Sequence, residues 1–379
     1  MSLSLSSVNQ NGLVKDKIDQ DLNIGNLRTI FAPHFINTNP YQKQLAEYLD
    51  NLGVEVDGLS YRKVFLPTAT KKGKVNIFHL HWLHTFSKAP NTITALLRVT
   101  KFISGLVILR LMGIKIVWTA HNLKDHENQR QFLDRICTFT VAKLAHAIIT
   151  HCQAAKWEVI KELNLTNKNK VFAMPHGNYN TYYENKIDQT EARKLLGLSD
   201  SSTVFLFLGL IRPYKGVFEL IESFQQLPKD GLELVIAGKT LNDELTEQVK
   251  QKIEGFDNIK FRPGFVPDDQ IQVYMNASDA VIFPYKNVLT SGTVILAMSF
   301  GKVCIAPRRG CIGEILHESG AFLYNPDQEE GLLEAMNSAL HKKTALSNMG
   351  QYNQQLANQW SWELVARETL DVYKQCLSR

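Results

Sequence analysis

The chain lacks most of the devices that announce a function at a glance. Its five cysteines, Cys137, Cys152, Cys304, Cys311 and Cys376, form no C-x-x-C pair, and their number is odd. That excludes a zinc ribbon, argues against a disulfide frame and points to a reducing compartment, the cytoplasm. The opening MSLSLSSVNQNGLVKDKIDQD has no basic head followed by an apolar core, so no secretory signal is read there. The most apolar region, FISGLVILRLMGIKIVWTA, is broken by Arg110 and Lys115 and reads as too interrupted to span a bilayer. No His/Asp/Glu cluster has metal-ligand spacing. No basic-aromatic platform suggests a nucleic-acid partner.

What is present is alternation. Apolar runs at residues 27–32, 75–80, 115–120, 147–151 and 171–174 predict strands, with helical patterns such as 41–52 and 92–111 between them. A polar stretch, HGNYNTYYENKIDQTE, follows and reads as a polar linker. A second series of strands is expected at 204–208, 232–237, 259–262, 280–283 and 303–306. Strand–helix alternation means parallel sheets covered on both faces. The expected class is therefore α/β, with two doubly wound Rossmann-like domains facing a cleft. The expected division is a loose segment 1–24, a first domain 25–178, a second domain 179–360 and a C-terminal helix 361–379. Charge is uneven: residues 1–180 hold 22 Lys+Arg against 12 Asp+Glu, and the remainder 20 against 25. A basic first half suits an anionic partner such as a membrane surface, and an ordinary surplus of solvated lysines accounts for the same numbers.

Two loops carry the chemistry. In FLGLIRPYKGVFELIESF a buried strand hands over to an amphipathic helix through Arg212, Lys215 and two glycines. A helix N-terminus offers N–H groups and partial positive charge, and Arg and Lys add fixed charge, which together suit a phosphate. The spacing fits neither a Walker A loop nor G-x-G-x-x-G, so the ligand need not be ATP or NAD. In FPYKNVLTSGTVILAMSFG, Thr290-Ser291-Gly292-Thr293 precede a second helix and read as an N-cap or an anion nest.

These segments, with LELVIAGK, FRPGFVPDDQIQVYMNASDAVIFPY and ILAMSFGKVCIAPRRGCIGEIL, resemble the donor-binding domain of glycosyltransferases with the two-Rossmann B fold (GT-B), especially family 4, the glycosyl transferases group 1. WSWELVARETLDVY resembles the closing helix that crosses back to the first domain, and VWTAHNLKDHE and ITHCQAAKWEVI resemble acceptor-domain segments. The resemblance implies a hexosyltransferase that takes a UDP- or GDP-sugar and uses protein cations in place of a metal, with no cofactor. It implies a donor site of Gly209, Arg212, Lys215, Phe265, Val266, Tyr285, Thr290, Ser291, Gly292 and Thr293. Arg212 and Lys215 would hold the diphosphate, Phe265 and Val266 would lie against the base, and His121 would stand near the transferred sugar. His79 and His81 share one strand face and read as structural. The implied acceptor is a saccharide or a lipid-linked saccharide, met at the inner face of a membrane by the basic first domain.

One departure matters. Many retaining members carry Glu-x7-Glu across the second loop, and those positions are Val288 and Leu296 here. Neither side chain hydrogen-bonds a sugar, and Lys286, Asn287 and Thr290 are the nearby polar substitutes. The departure keeps two alternatives open: a catalytically silent sugar-nucleotide binder, and a sugar-nucleotide epimerase on the same fold.

Overall fold

A computed structural model describes residues 27–59, 74–123 and 130–378. The expected loose segment 1–24 lies outside them. The described chain divides into two units. The first holds residues up to 149, then 159–172 and 362–379, and the second holds 150–158 and 173–361.

The first unit is built on a six-stranded parallel sheet in the order β2-β1-β3-β4-β5-β6. Its strands are β1 (Leu27–Ala32), β2 (Val54–Gly58), β3 (Ile77–Leu80), β4 (Lys115–Thr119), β5 (Ala147–Thr150) and β6 (Val171–Ala173). Central strands such as β3 and β5 are buried along their whole length, as unbroken apolar runs require in a sheet covered on both faces. β2 is absent from the expectation because Val-Glu-Val-Asp-Gly is short and half acidic. It holds its edge position through Arg28, whose Nε donates to Asp57 at 2.9 Å and whose Nη2 lies 3.1 Å from Glu55.

Helix Thr92–Leu111 starts at the Asn91 cap, whose side chain accepts from Thr94 N–H at 2.8 Å. It buries Ala95, Val99, Phe102, Leu106 and Leu109, one stripe at helical spacing. Residues 102–120 are thus the end of this helix, a turn at Gly113 (φ 83°) and β4, not one span. By length and composition alone, Thr92–Leu111 is itself enough to cross a membrane. The closing helix Trp362–Leu377 belongs to the first unit and packs on helix Pro40–Asn51.

The second unit repeats the plan in the order β12-β11-β10-β7-β8-β9. Its strands are β7 (Thr203–Leu208), β8 (Leu232–Gly238), β9 (Ile259–Pro263), β10 (Ala280–Ile282), β11 (Val303–Pro307) and β12 (Ala321–Tyr324). All pairs are parallel. β12 is the second strand that the sequence pattern does not reveal, since Ala-Phe-Leu-Tyr follows a Ser-Gly turn with no alternation around it.

Two expectations need correction. The cysteines do include a disulfide: Cys152 is bonded to Cys311, with Cα atoms 5.5 Å apart and 159 residues between them in sequence. Spacing along the chain does not predict a pairing that tertiary folding alone creates, and the cysteine argument for a reducing compartment falls with it. The polar stretch after His176 is likewise no solvated linker at its start. His176, Asn178 and Tyr179 are buried. Asn178 N–H donates to the Trp360 carbonyl at 2.9 Å, and its side chain donates to Ala357 at 2.9 Å. These polar groups are satisfied by backbone, so they can be internal. Residues 150–158 also group with the second unit. Glu314 accepts the N–H groups of Gln153 (2.9 Å) and Ala154 (2.6 Å), beside the disulfide.

Candidate functional site

In a doubly wound sheet, ligands bind where strand order reverses, beyond the carboxyl ends of the strands. In the second sheet that point lies between β7 and β10, whose helices leave in opposite directions. Both loops singled out in the sequence begin there.

The β7 loop is shaped by glycine. Gly209 has φ +133°, and a Cβ built on it would lie 3.7 Å from Lys215 Nζ and 3.9 Å from Thr293 Oγ1. The two loops therefore converge on one backbone position that carries no side chain, which leaves room for a ligand. Pro213–Lys215 form a single 3-10 turn, and Gly216 at φ +73° opens helix Val217–Gln225. Arg212 donates from Nη1 to the carbonyls of Ile211 (2.9 Å) and Lys239 (3.1 Å), which holds its guanidinium over the ends of β7 and β8.

The β10 loop supplies the other side. Lys215 Nζ lies 5.4 Å from the Tyr285 ring centroid. Burial pushes the Tyr285 phenol up to about 12, and hydrogen bonds to Ser291 and Thr293 pull it back. The phenol is thus neutral and ties both hydroxyls in place. Ser291 takes the N-cap position of helix Gly292–Ser299 but makes no side-chain cap bond. Its hydroxyl is therefore not spent on the first-turn N–H groups. Gly209, Lys215, Tyr285, Ser291 and Thr293 meet in one place, with Arg212 beside them. Thr290 lines a cavity of about 440 Å³ in the same unit, together with His151, His176, Glu314 and Trp360.

Phe265 and Val266 stand apart from that cluster. They follow Gly264 at the end of β9, on the far side of β8. Phe265 is 74% exposed, while Val266 is half-buried against the core. Three glycines draw these strand ends together: a Cβ on Gly238 would land 1.8 Å from the Gly209 carbonyl oxygen, and Gly264 N–H donates to Gly238 at 3.1 Å.

Two residues were missed by sequence reasoning. A Cβ on Gly292 would lie 3.0 Å from Tyr179 Oη and 3.5 Å from His176 Nε2. Both belong to the stretch read as a linker, and only packing brings them to the helix start. Burial lowers the His176 pKa to about 4, so the imidazole beside Gly292 is neutral. The positions of the absent glutamates are also accounted for. Leu296 is buried in the core, and the Val288 carbonyl lies where a Cβ on Gly310 would be. Of the polar substitutes nearby, Lys286 pairs with Glu219.

In the first sheet the order reverses between β1 and β3. His79 and His81 end β3, and His121 follows β4. His81 Nδ1 lies 3.2 Å from His121 Nε2, so one proton is shared between the two rings. Trp82 stacks on His121 at 4.4 Å and 10°, and Tyr41 meets it edge-on at 4.8 Å. His79 is buried and held by two hydrogen bonds. Its rings nitrogens meet Tyr373 Oη at 2.6 Å and Thr119 Oγ1 at 2.7 Å, and burial lowers its pKa to about 3. His81 contacts His121 directly. Among the described residues no group of three or more His, Cys, Asp or Glu side chains is placed to hold a metal.

Comparison with known proteins adds the following. Residues 188–356 match the family described as Glycosyl transferases group 1. A GDP-mannose:glycolipid 4-beta-D-mannosyltransferase of Xanthomonas campestris pv. campestris is 26% identical over 303 residues, 79% of each chain. Among solved structures, sucrose-phosphate synthase from Thermosynechococcus elongatus superposes with a TM-score of 0.74 at 16% identity, covering 93% of this chain and 99% of that one. Anabaena HepE, solved in complex with UDP, superposes at 0.70 with 17% identity, covering 92% of this chain and all of that one.

Proposed function

For a glycosyltransferase whose residues 188–356 carry the group 1 family match on a GT-B fold, we propose the following reaction. A hexosyl group moves from a UDP- or GDP-sugar to a saccharide or lipid-linked saccharide hydroxyl. The acceptor oxygen attacks the anomeric carbon, the bond from that carbon to the diphosphate oxygen breaks, and the nucleoside diphosphate leaves with the electron pair. The acceptor's proton passes to a base.

The observation that carries this reading is the convergence at Gly209. Lys215 and Thr293 reach one side-chain-free backbone position from two loops at the strand-order reversal. Lys215 and Arg212 supply positive charge where the leaving diphosphate becomes more negative, and the start of helix Gly292–Ser299 supplies N–H groups. Charge of this kind takes the place of a metal, and no cofactor is required. His121, with His81 behind it, is the polar group offered to the sugar in the first unit. Phe265 is the exposed ring for the base. A glycolipid acceptor is suggested by the Xanthomonas relative's name, and UDP or GDP by the two relatives' nucleotides. The basic first half suits work at the inner face of a membrane. No observation favours a silent binder or an epimerase.

The test is thermal-shift screening against UDP, GDP, ADP and their sugars, because a ligand bound only by the folded state raises the melting temperature. One nucleotide series should stabilise, and its sugar should be turned over only when an acceptor is added. Turnover without acceptor would favour the epimerase, and no stabilisation by any nucleotide would sink the donor site.

A further inference from the structure

Helix Thr92–Leu111 is apolar on two opposite sides. One stripe, Ala95 to Leu109, is core. On a 100° wheel the opposite side carries Ile93, Leu96, Leu97, Val107, Ile108 and Leu111, all exposed, with Ile93 at 74% and Leu111 at 81%. Arg98, Lys101 and Arg110 flank that side and are exposed, and the helix contains no acidic residue. Helix Gln131–Leu144 packs beside it and buries Cys137, Val141 and Ala142 in the same core cluster. Its outer side repeats the pattern: Phe132, Ile136 and Phe139 are exposed, with Arg135 and Lys143 among them. Its single acid, Asp134, is buried against Ser87. The two helices bury their inner stripes in one cluster and pack against each other, so their outer sides are neighbours on the first unit.

A soluble surface seldom gathers so many large apolar side chains without a partner. We propose that this two-helix surface lies on an anionic lipid leaflet, with the apolar side chains in the headgroup–acyl boundary and the five cations on lipid phosphates. Charge decides the occupant. A second copy would meet this surface face to face, setting five cations against five with no exposed acid on either helix to pair them. An anionic leaflet answers both the apolar area and the charge. This deepens the reading of a lipid-linked acceptor, since it places the first unit where such an acceptor's lipid is anchored.

The experiment is flotation of the full chain with phosphatidylcholine vesicles, with and without phosphatidylglycerol. The protein should float with the anionic vesicles only, and be released at about 0.5 M salt, where the screening length falls to about 4 Å. Ile108→Glu with Leu111→Glu, and separately Lys101→Glu with Lys143→Glu, should each lower partition by about tenfold or more. Melting temperature and nucleotide binding by calorimetry should be unchanged, since all four residues are exposed and belong to the first unit. Equal flotation with neutral and anionic vesicles, or unaltered partition of both variants, would overturn the proposal. So would a wild-type dimer, seen by light scattering, that Leu111→Glu dissociates. Nucleotide-sugar turnover measured without vesicles reports separately on the proposed reaction, so either idea can fail alone.

Discussion

The Pro284 carbonyl oxygen occupies the space where a side chain on Gly216 would start: a Cβ built there would lie 2.0 Å from it. The β7 loop and the β10 loop are thus locked together by the absence of one methyl group. Gly216 is also at φ +73°, which L side chains rarely adopt. Gly216→Ala should cost about 1–3 kcal/mol from backbone strain alone, and more from the contact with Pro284. Calorimetry should show weaker nucleotide binding together with a lower melting temperature. Wild-type affinity in a fully folded variant would mean that the two loops do not jointly form the site.

The cations at this junction should behave in the opposite way. Lys215→Ala and Arg212→Ala should each lower kcat/KM by about a hundredfold, the scale of losing a group that stabilises developing negative charge. Lys215→Ala should leave the melting temperature close to wild type. Near-normal turnover in both variants would remove the phosphate role of the loop.

Acid should destabilise the fold through its buried histidines. Burial lowers His79 to about 3 and His176 to about 4, whereas the unfolded chain titrates near 6.5. Above that value both states hold neutral rings. As pH falls through about 6.5, the unfolded chain takes up protons that the folded chain refuses, so stability is lost by up to about 1.4 kcal/mol per pH unit for each ring. Urea midpoints measured from about pH 7 down to about pH 5 should fall, and His79→Gln should flatten the slope. A slope unaltered by that substitution would assign the acid sensitivity elsewhere.

The cysteines give a count that can be checked directly. Cys137, Cys304 and Cys376 are free and buried, while Cys152 and Cys311 are bonded. Protein purified without reductant and then denatured should titrate as three thiols, rising to five of five after reduction. Cys311→Ser should lower stability by about 2–4 kcal/mol, the usual scale for a native disulfide. Five thiols before reduction would contradict the pairing.

Much of the architecture is legible in the residues because strands and helices repeat over two and 3.6 residues, so their signal is local. Ten of the expected strand positions coincide with observed strands; the two that escaped, β2 and β12, are short and sit at sheet edges, where burial imposes less pattern. Arg212, Lys215 and the Thr290–Thr293 run were readable for the same reason, since each lies after a strand end, before or at the start of the helix that follows it. The apolar outer side of helix Thr92–Leu111 is equally local. Other relationships had no local signal. Lys215 and Thr293 meet at Gly209, His176 and Tyr179 meet Gly292, His81 meets His121, and Cys152 meets Cys311. Each joins side chains or loops from different elements, through sheet order and close packing. The sequence by itself determined two doubly wound halves, their loop chemistry and their charge. Which residues stand together in each site was decided only when parallel strands, buried on both faces, packed in one order.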